Sequence, residues 1–305
     1  MVIRSFAELE TMLSASPLLR PAVAGADDPA TLAALQSALA DGWIASAILV
    51  GDPGGIAEIL PPELAPHVSI RPAATGAEAA ALAVAAVHAG EANVLAKGSV
   101  DSAAYLRAVV ASDTGLRASK TLSNITLAEM PSVPRLIGAT DNGIVVLPTL
   151  DQKRAILRNA VPLFCGLGVV PIRVAAIAAS EKVHPSQSAT TDAAMLRDEA
   201  AQGDGTVLVD GPFGYDVAVS PAAAAKKGFC TSPVAGRADL ILFPSIEAGN
   251  ATVKAWKLHG AARTASIVMG ASAPVLLNSR ADGMEQRRLG LLLAAVVLAG
   301  HQGAP

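Results

Sequence analysis

Aromatic side chains are scarce: two Trp, two Tyr and five Phe among 305 residues, 3% of the chain. A core built on large rings is therefore excluded. Ala, Val, Leu and Ile must fill it, as they do where helices stack on a parallel sheet. Cysteine is nearly absent. Cys165 and Cys230 lie far apart and show no metal-ligand spacing, so a disulfide scaffold is excluded and both are expected as reduced, buried thiols of a cytoplasmic protein. There is no basic excess, with 23 Lys and Arg against 26 Asp and Glu and a net charge of −3. Nucleic acid is not expected as a partner, because a phosphate backbone demands a basic face. No apolar run is long enough for a membrane: the longest, residues 289–299, contains Gly290 and directly follows Arg287 and Arg288. The first ten residues carry Arg4, Glu8 and Glu10 and no apolar core, so they do not read as a secretory signal. His67, His88, His184, His259 and His301 have no ligand spacing.

What is present is 52% hydrophobic content over a length that favours two domains. Helical patterns at residues 30–40, 76–89 and 102–111 alternate with β-rich runs at 44–50, 68–70 and 93–95, the sequence form of βαβ units. From Thr121 the rhythm changes. Residues 122–130, 135–139 and 144–147 read as successive strands, and Asp141-Asn142-Gly143 reads as a hairpin turn. Alternation then resumes: helix 151–167, strand 172–178, helix 191–201, strand 206–209, helix 216–226, strand 240–243, helix 248–261, strands 265–269 and 274–277, and a last helix 284–299. Gly51-Asp52-Pro53-Gly54-Gly55 lacks the Lys-Ser/Thr of a P-loop and reads as an ordinary βα turn. Trp43 and Trp256 read as core or interface anchors.

Four segments concentrate residues able to do chemistry. Leu276-Leu277-Asn278-Ser279-Arg280-Ala281-Asp282-Gly283 joins an apolar strand to an apolar helix. A helix start offers unpaired N–H groups and partial positive charge, and Arg280 adds a planar fork of donors, so this junction suits a phosphate. Lys97-Gly98-Ser99-Val100-Asp101-Ser102, with Arg107 on the next helix, puts Lys97 at the carboxyl end of a strand, where open α/β sheets meet ligands. The third segment is Asp210-Gly211-Pro212-Phe213-Gly214-Tyr215-Asp216. The fourth runs from Ser232-Pro233-Val234-Ala235-Gly236-Arg237-Ala238-Asp239 into Pro244-Ser245-Ile246-Glu247-Ala248-Gly249-Asn250.

In this order, over residues 93–285, the four segments resemble the phosphate acetyl/butyryltransferase family. Ser279-Arg280-Ala281-Asp282 and Lys97-Gly98 are similar to the butyryl branch, whereas the acetyl branch tends to place Gly directly after the Ser-Arg pair. Gly283 departs from the pattern, where Ser is more usual. The resemblance implies two α/β domains of the isocitrate/isopropylmalate dehydrogenase kind with a cleft between them. It further implies a discontinuous first domain, 1–120 plus 272–305, with a second domain, 121–271, inserted into it. The implied reaction is butanoyl-CoA plus inorganic phosphate giving butanoyl phosphate plus CoA, reversibly, by direct attack in a ternary complex. Coenzyme A thioester and phosphate are then substrates. No tightly bound cofactor, metal or membrane is implied, and a homodimer or larger homo-oligomer is.

Roles follow from the same resemblance. Arg280 would bind phosphate, Ser279 the carbonyl or thiol, and Arg107 a second phosphate or CoA contact, with Lys97 beside them. Glu285 is the candidate base, although strict spacing puts Gln286 at the acidic position of the acetyl branch. Asp282-x-x-Glu285 reads equally as a capping box, and a helix N-terminus itself lowers a thiol pKa. Asp210 and Asp216 would face substrate or cap turns. Gly249 and Asn250 would form an anion site or merely open a helix. Three other readings compete: an acetyl-CoA enzyme of the same family, a metal-dependent hydroxy-acid oxidation using Asp210, Asp216 and Asp239, and a CoA- or acyl-phosphate-binding regulatory protein without turnover.

Overall fold

Capped helices alternate with short apolar strands from the start of the chain, in a computed structural model that describes residues 2–13, 19–279 and 281–303. The order begins α1 (Phe6–Leu13), β1 (Pro21–Ala24), α2 (Pro29–Ala40), β2 (Ala47–Gly51), α3 (Pro53–Ile59), β3 (Val68–Pro72), α4 (Gly76–His88), β4 (Val94–Lys97) and α5 (Ser102–Val109). It continues β5 (Ser123–Met130), β6 (Val133–Thr140), α6 (Leu150–Gly166), β7 (Ile172–Ile177), α7 (Ser188–Ala200), β8 (Val207–Phe213), α8 (Tyr215–Val219), α9 (Pro221–Lys226), β9 (Leu240–Leu242), α10 (Ile246–His259), β10 (Arg263–Met269), β11 (Val275–Leu276) and α11 (Met284–Gly303). Helix starts are written into the sequence. The side chains of Asp28, Asp52, Thr75 and Asp101 each accept from a backbone N–H in the first turn that follows, and Pro29 and Pro53 occupy positions whose N–H would have no partner.

The chain divides into two compact units: Ala7–Lys120 with Ala265–Gln302, and Met1–Phe6 with Thr121–Thr264 and Gly303–Pro305. The sheet of the first runs β3-β2-β1-β4-β11-β10. Its pairs are parallel except β10 with β11. β1, β2 and β4 are buried along their whole length, as a sheet covered on both faces requires. On α4 the buried positions are Ala79, Ala80, Ala83, Val84, Ala86 and Val87, small enough for the helix axis to approach the strands closely. The apolar run of α11 is core, with every residue from Leu291 to Val297 buried. Among the described residues no helix is long and apolar enough to cross a membrane.

The sheet of the second unit runs β5-β6-β9-β7-β8, an antiparallel hairpin followed by parallel strands. Met130, Ile137, Ile241, Phe243, Val253 and Trp256 pack on one side of it, and Trp256 Nε1 donates to the Tyr215 hydroxyl at 2.7 Å. Trp43, in the first unit, is also buried and carries the Arg288 guanidinium 4.1 Å from its ring centroid.

Several expectations are corrected here. Residues 144–147 form no strand, and the hairpin does not turn at Asp141-Asn142-Gly143. It turns at Pro131-Ser132, where Met130 pairs with Val133. Asp141 instead closes the far end of β6: its carboxylate accepts from Gly143 N, Ile144 N and, 17 positions back, Asn124 N. Residues 216–226 form two helices, because Ser220 is extended and caps a new start at Pro221. Cys230 is exposed and Cys165 half-buried, so the expectation of two buried thiols fails. Cys230 lies in the turn that follows α9. The elements α1, β1 and α3 are additions to those expected from the sequence.

Candidate active site

In the first unit the strand order reverses beside β1: β2 and β3 extend to one side of it, and β4 lies on the other. Loops leaving the carboxyl ends of the two strands at such a point diverge to opposite faces and leave a crevice, where α/β sheets take their ligands. Here the adjoining parallel strands β1, β4 and β11 end in Ala24, Lys97 and Leu276. The loops that follow carry Gly25 to Asp28, Gly98 to Asp101, and Leu277 to Gly283. Two of the sequence segments singled out for their chemistry thus leave neighbouring strands on one edge.

Glycine makes the close approach possible. Gly25 has φ +70°, and a Cβ on Gly98 would lie 1.9 Å from the Gly25 carbonyl oxygen. With hydrogen in that place, Gly98 N donates to Ala24 O at 2.9 Å and Ser99 N to Gly25 O at 2.8 Å. Ser99 Oγ donates to Asp27, and Asp28 caps α2 while accepting from Thr31 Oγ1 at 2.8 Å. Lys97 is 3% exposed, and its Nζ donates to Gly98 O at 3.2 Å. Beside it Arg287, 7% exposed, reaches from the first turn of α11 to the Asp28 carboxylate at 2.8 Å, to Thr31 Oγ1 at 3.0 Å and to the Lys97 carbonyl at 3.1 Å. Lys97, Asn278, Arg287 and Thr31 line one small pocket with Leu276 and Leu291, of about 10 Å³. That is room for about one water molecule.

The Ser279 loop is organised by its own short bonds. Ser279 N donates to Asp282 Oδ2 at 2.8 Å, Ala281 N to Ser279 Oγ at 3.3 Å, and Asp282 N to Ser279 O at 3.1 Å. Ser279 is exposed; Arg280 lies outside the described residues. α11 begins at Met284, so Gly283 stands at the N-cap and Gln286 at N3, and Gln286 Oε1 accepts from Gly283 N at 3.0 Å. This is the reciprocal half of a capping box, one position later than Asp282-x-x-Glu285 would give, because Asp282 turns back onto Ser279. Glu285 falls at N2 and is exposed. Arg107 is exposed on the last turn of α5. Two residues before it, fully buried Tyr105 donates its hydroxyl to Leu276 O at 3.1 Å, tying α5 to the end of β11; burial pushes this phenol well above its ordinary pKa.

The remaining candidates belong to the second unit. Asp210 accepts from Gly211 N at 2.7 Å and from Ser232 Oγ, which brings two of the sequence segments together. Asp216 pairs with Lys227 at 3.1 Å, and Lys227 also meets Glu181 at 2.7 Å; this ammonium holds both carboxyls below their usual range. Gly249 sits in the first turns of α10, where a Cβ would come 2.6 Å from Asp141 O. Asn250 Nδ2 donates to Asn142 O at 3.2 Å. The carboxylates read as possible metal ligands have separate partners: Asp239 takes Arg173 through two guanidinium nitrogens and the backbone N–H. Among the described residues no group of three or more His, Cys, Asp or Glu is placed to hold a metal ion.

Sequence reasoning overlooked several contributors, among them the buried Thr31 and Arg287. Asp27, Asp28, Thr31 and Arg287 brace the first-unit edge, and a Gly-Ala-Asp-Asp run after a short apolar strand was the available signal. In the second unit Asn124, Thr126, Asp141 and Asn142 form a buried network at the end of β6. Asn124 Nδ2 meets Asn142 Oδ1 at 2.8 Å, Asn142 Nδ2 meets Thr126 Oγ1 at 2.8 Å, and burial raises the Asp141 carboxyl pKa.

Comparison with known proteins bears on what this arrangement serves. The family model described as Phosphate acetyl/butaryl transferase matches residues 69–295. A "Probable phosphate butyryltransferase" of Bacillus subtilis is 38% identical over 274 residues, 90% of this chain and 91% of its own. A "Phosphate butyryltransferase" of Clostridium acetobutylicum is 36% identical over 305 residues, covering 97% and 99%. Among solved structures, that of a branched-chain phosphotransacylase from Enterococcus faecalis V583 superposes with a TM-score of 0.82 at 25% identity, covering 92% of this chain and 99% of its own. A model matched over most of the chain, and relatives similar over nearly all of it, establish that the protein belongs to the Phosphate acetyl/butaryl transferase family.

Proposed function

We propose that the protein transfers a short acyl group, butanoyl first among them, reversibly between coenzyme A and inorganic phosphate. The observation that carries the reading is the meeting of the Lys97 and Ser279 segments at the carboxyl ends of adjacent strands, in a chain of this family. In the forward direction a phosphate oxygen attacks the thioester carbonyl carbon. The C–O bond forms, the carbonyl oxygen takes up negative charge, and the C–S bond then breaks with the electron pair leaving on sulfur. The reverse reaction needs a thiolate from a group of ordinary pKa about 8.5.

Three tasks follow, and each has a candidate. Ser279, exposed on the loop before α11, donates to the carbonyl oxygen or the sulfur. Arg280, with Arg107 and the buried charge of Lys97, holds phosphate as nucleophile and as leaving group. The amino end of α11 places partial positive charge beside the departing thiolate, and Glu285 on its first turn is the candidate base. Asp210, Asp216, Gly249 and Asn250 are assigned to substrate binding in the second unit. The chemistry calls for no tightly bound cofactor, because the acyl phosphate is already activated. We further assign the protein to the cytoplasm as a homodimer or larger assembly; sedimentation equilibrium of the purified chain tests the latter, and a monomer would sink it.

The test is phosphate-dependent CoA release from butanoyl-, propanoyl- and acetyl-CoA, followed with a thiol-reactive dye with and without a chelator. Chelator-insensitive release fastest with butanoyl-CoA is expected. Fastest release from acetyl-CoA would move the protein to the acetyl branch, and a chelator-sensitive reaction would remove the metal-free mechanism. Absence of release from all three would leave a binding protein.

A further inference from the structure

We propose that Arg287 is a positioning residue of the reaction: it sets the Ser279 loop and the start of α11 in register with the Lys97 end of β4. The proposal rests on the acyl-transfer reading for its kinetic consequence and on geometry for the rest. The guanidinium joins three stretches that are far apart in sequence. From the first turn of α11 it bonds Asp28 and Thr31, 259 and 256 positions back, and the carbonyl of Lys97, 190 positions back. It is buried, and its Nε is the one buried side-chain nitrogen or oxygen among the described residues without a hydrogen-bond partner. It also lines the small pocket it shares with Lys97 and Asn278, the residue immediately before Ser279. A planar fork with fixed donor directions can hold three acceptors in one geometry, and a flexible ammonium cannot.

Its neighbour supplies the comparison. Arg288, on the same turn, is also mostly buried and also ion-paired, to Glu10 at 2.8 Å and Asp41 at 2.7 Å, and it lies over the Trp43 ring. None of those partners carries or adjoins a candidate site residue. Replacing Arg288 therefore removes a comparable set of interactions from α11 without releasing the Ser279 loop.

The experiment compares Arg287→Met, Arg287→Lys and Arg288→Met in the full chain. Steady-state CoA release is measured well below each melting temperature, together with amide hydrogen exchange over residues 276–284. Small displacements of reacting groups cost large factors in rate, so Arg287→Met is expected to lower kcat roughly 10–100-fold with KM for butanoyl-CoA and phosphate within about twofold. Arg287→Lys, which can keep the Asp28 pair but not the fork, should recover part of the loss. Arg288→Met should keep kcat within about twofold. Exchange over 276–284 should quicken in Arg287→Met and not in Arg288→Met. Equal kcat losses in the two methionine variants, or a raised KM for phosphate at unchanged kcat, would overturn the positioning role. Should Arg287→Met not fold, Arg287→Lys carries the same test, a fall in kcat at constant KM being expected and an unchanged kcat being fatal. If the unsubstituted protein shows no turnover, the acyl-transfer reading fails instead. The exchange comparison then decides positioning alone: quickening confined to Arg287→Met upholds it, and equal exchange refutes it.

Discussion

Gly98→Ala tests the site edge at its tightest point. The added Cβ would lie 2.9 Å from the Gly25 carbonyl carbon, 3.2 Å from Ala24 O and 1.9 Å from the Gly25 carbonyl oxygen, the last about 1 Å inside the distance such contacts tolerate. No side chain can swing away, because every atom it meets is backbone. Relief requires the ends of β1 and β4 to part, which breaks Gly98 N to Ala24 O and Ser99 N to Gly25 O. Two backbone bonds at about 1 kcal/mol each and about 1–3 kcal/mol of overpacking strain sum to about 3–5 kcal/mol. For a chain of this size that corresponds to a fall in melting temperature of roughly 5–8 °C. Gly42→Ala is the control: φ is +74° and nothing lies within 4 Å of the added atom, so only the left-handed backbone cost of about 1–2 kcal/mol applies. Thermal unfolding followed by circular dichroism reads both, and kcat/KM for phosphate reads the displaced loop. A Gly98→Ala protein that melts no lower than Gly42→Ala, with unaltered kinetics, would refute the claim that the two loops are locked by contact.

Three more outcomes are expected. Ser279→Ala should lower kcat roughly 10²–10³-fold, as loss of a donor to a developing oxyanion does, with melting unchanged because the side chain is exposed; an unaltered rate in the CoA-release assay would remove Ser279 from the chemistry. Asp239→Asn should destabilise the protein by about 2–4 kcal/mol in urea unfolding, about 1 kcal/mol less than a fully buried broken pair because Arg173 keeps 34% exposure and some water; a cost under about 1 kcal/mol would mean the pair is dispensable. Lys227 depresses the folded pKa of Glu181 and Asp216, so their contribution is present above the unfolded carboxyl range and is lost as pH falls through the lower folded values. Lys227→Met should therefore flatten the decline in melting temperature below about pH 4.5, and an identical acid profile would contradict the assignment.

Much of the fold was legible because the signals are local. Period and capping placed α2, α4, α6 and β7 within a residue or two, and Thr149 with Gln152 makes the reciprocal cap its spacing allows. The Ser-Arg junction between an apolar strand and an apolar helix was equally plain. What misled was a local signal overridden from afar. Asp141-Asn142-Gly143 has hairpin composition, but Asp141 spends its carboxylate on Asn124 and its own loop, and Asn142 bonds Thr126, so the chain continues rather than reversing. Pro221 was legible and overlooked; it splits a helix that periodicity alone would join. Arg287 and Arg288 read as charges flanking an apolar run. Nothing within 240 residues of sequence hints that Asp28, Asp41 and Glu10 draw them inside.

The division of the chain has a consequence for its birth on the ribosome. Strand β4 needs β11 beside it, and Val275 of β11 comes 180 positions after Leu95, with which it pairs. Ala7–Lys120 emerges first yet waits for Ala265–Gln302, while Thr121–Thr264, the bulk of the other unit, emerges in between. At about 5–20 residues per second the wait lasts roughly 10–40 s, during which one edge of β4 stays open to any passing strand. Proteolysis of stalled nascent chains should find the later segment protected before the earlier one.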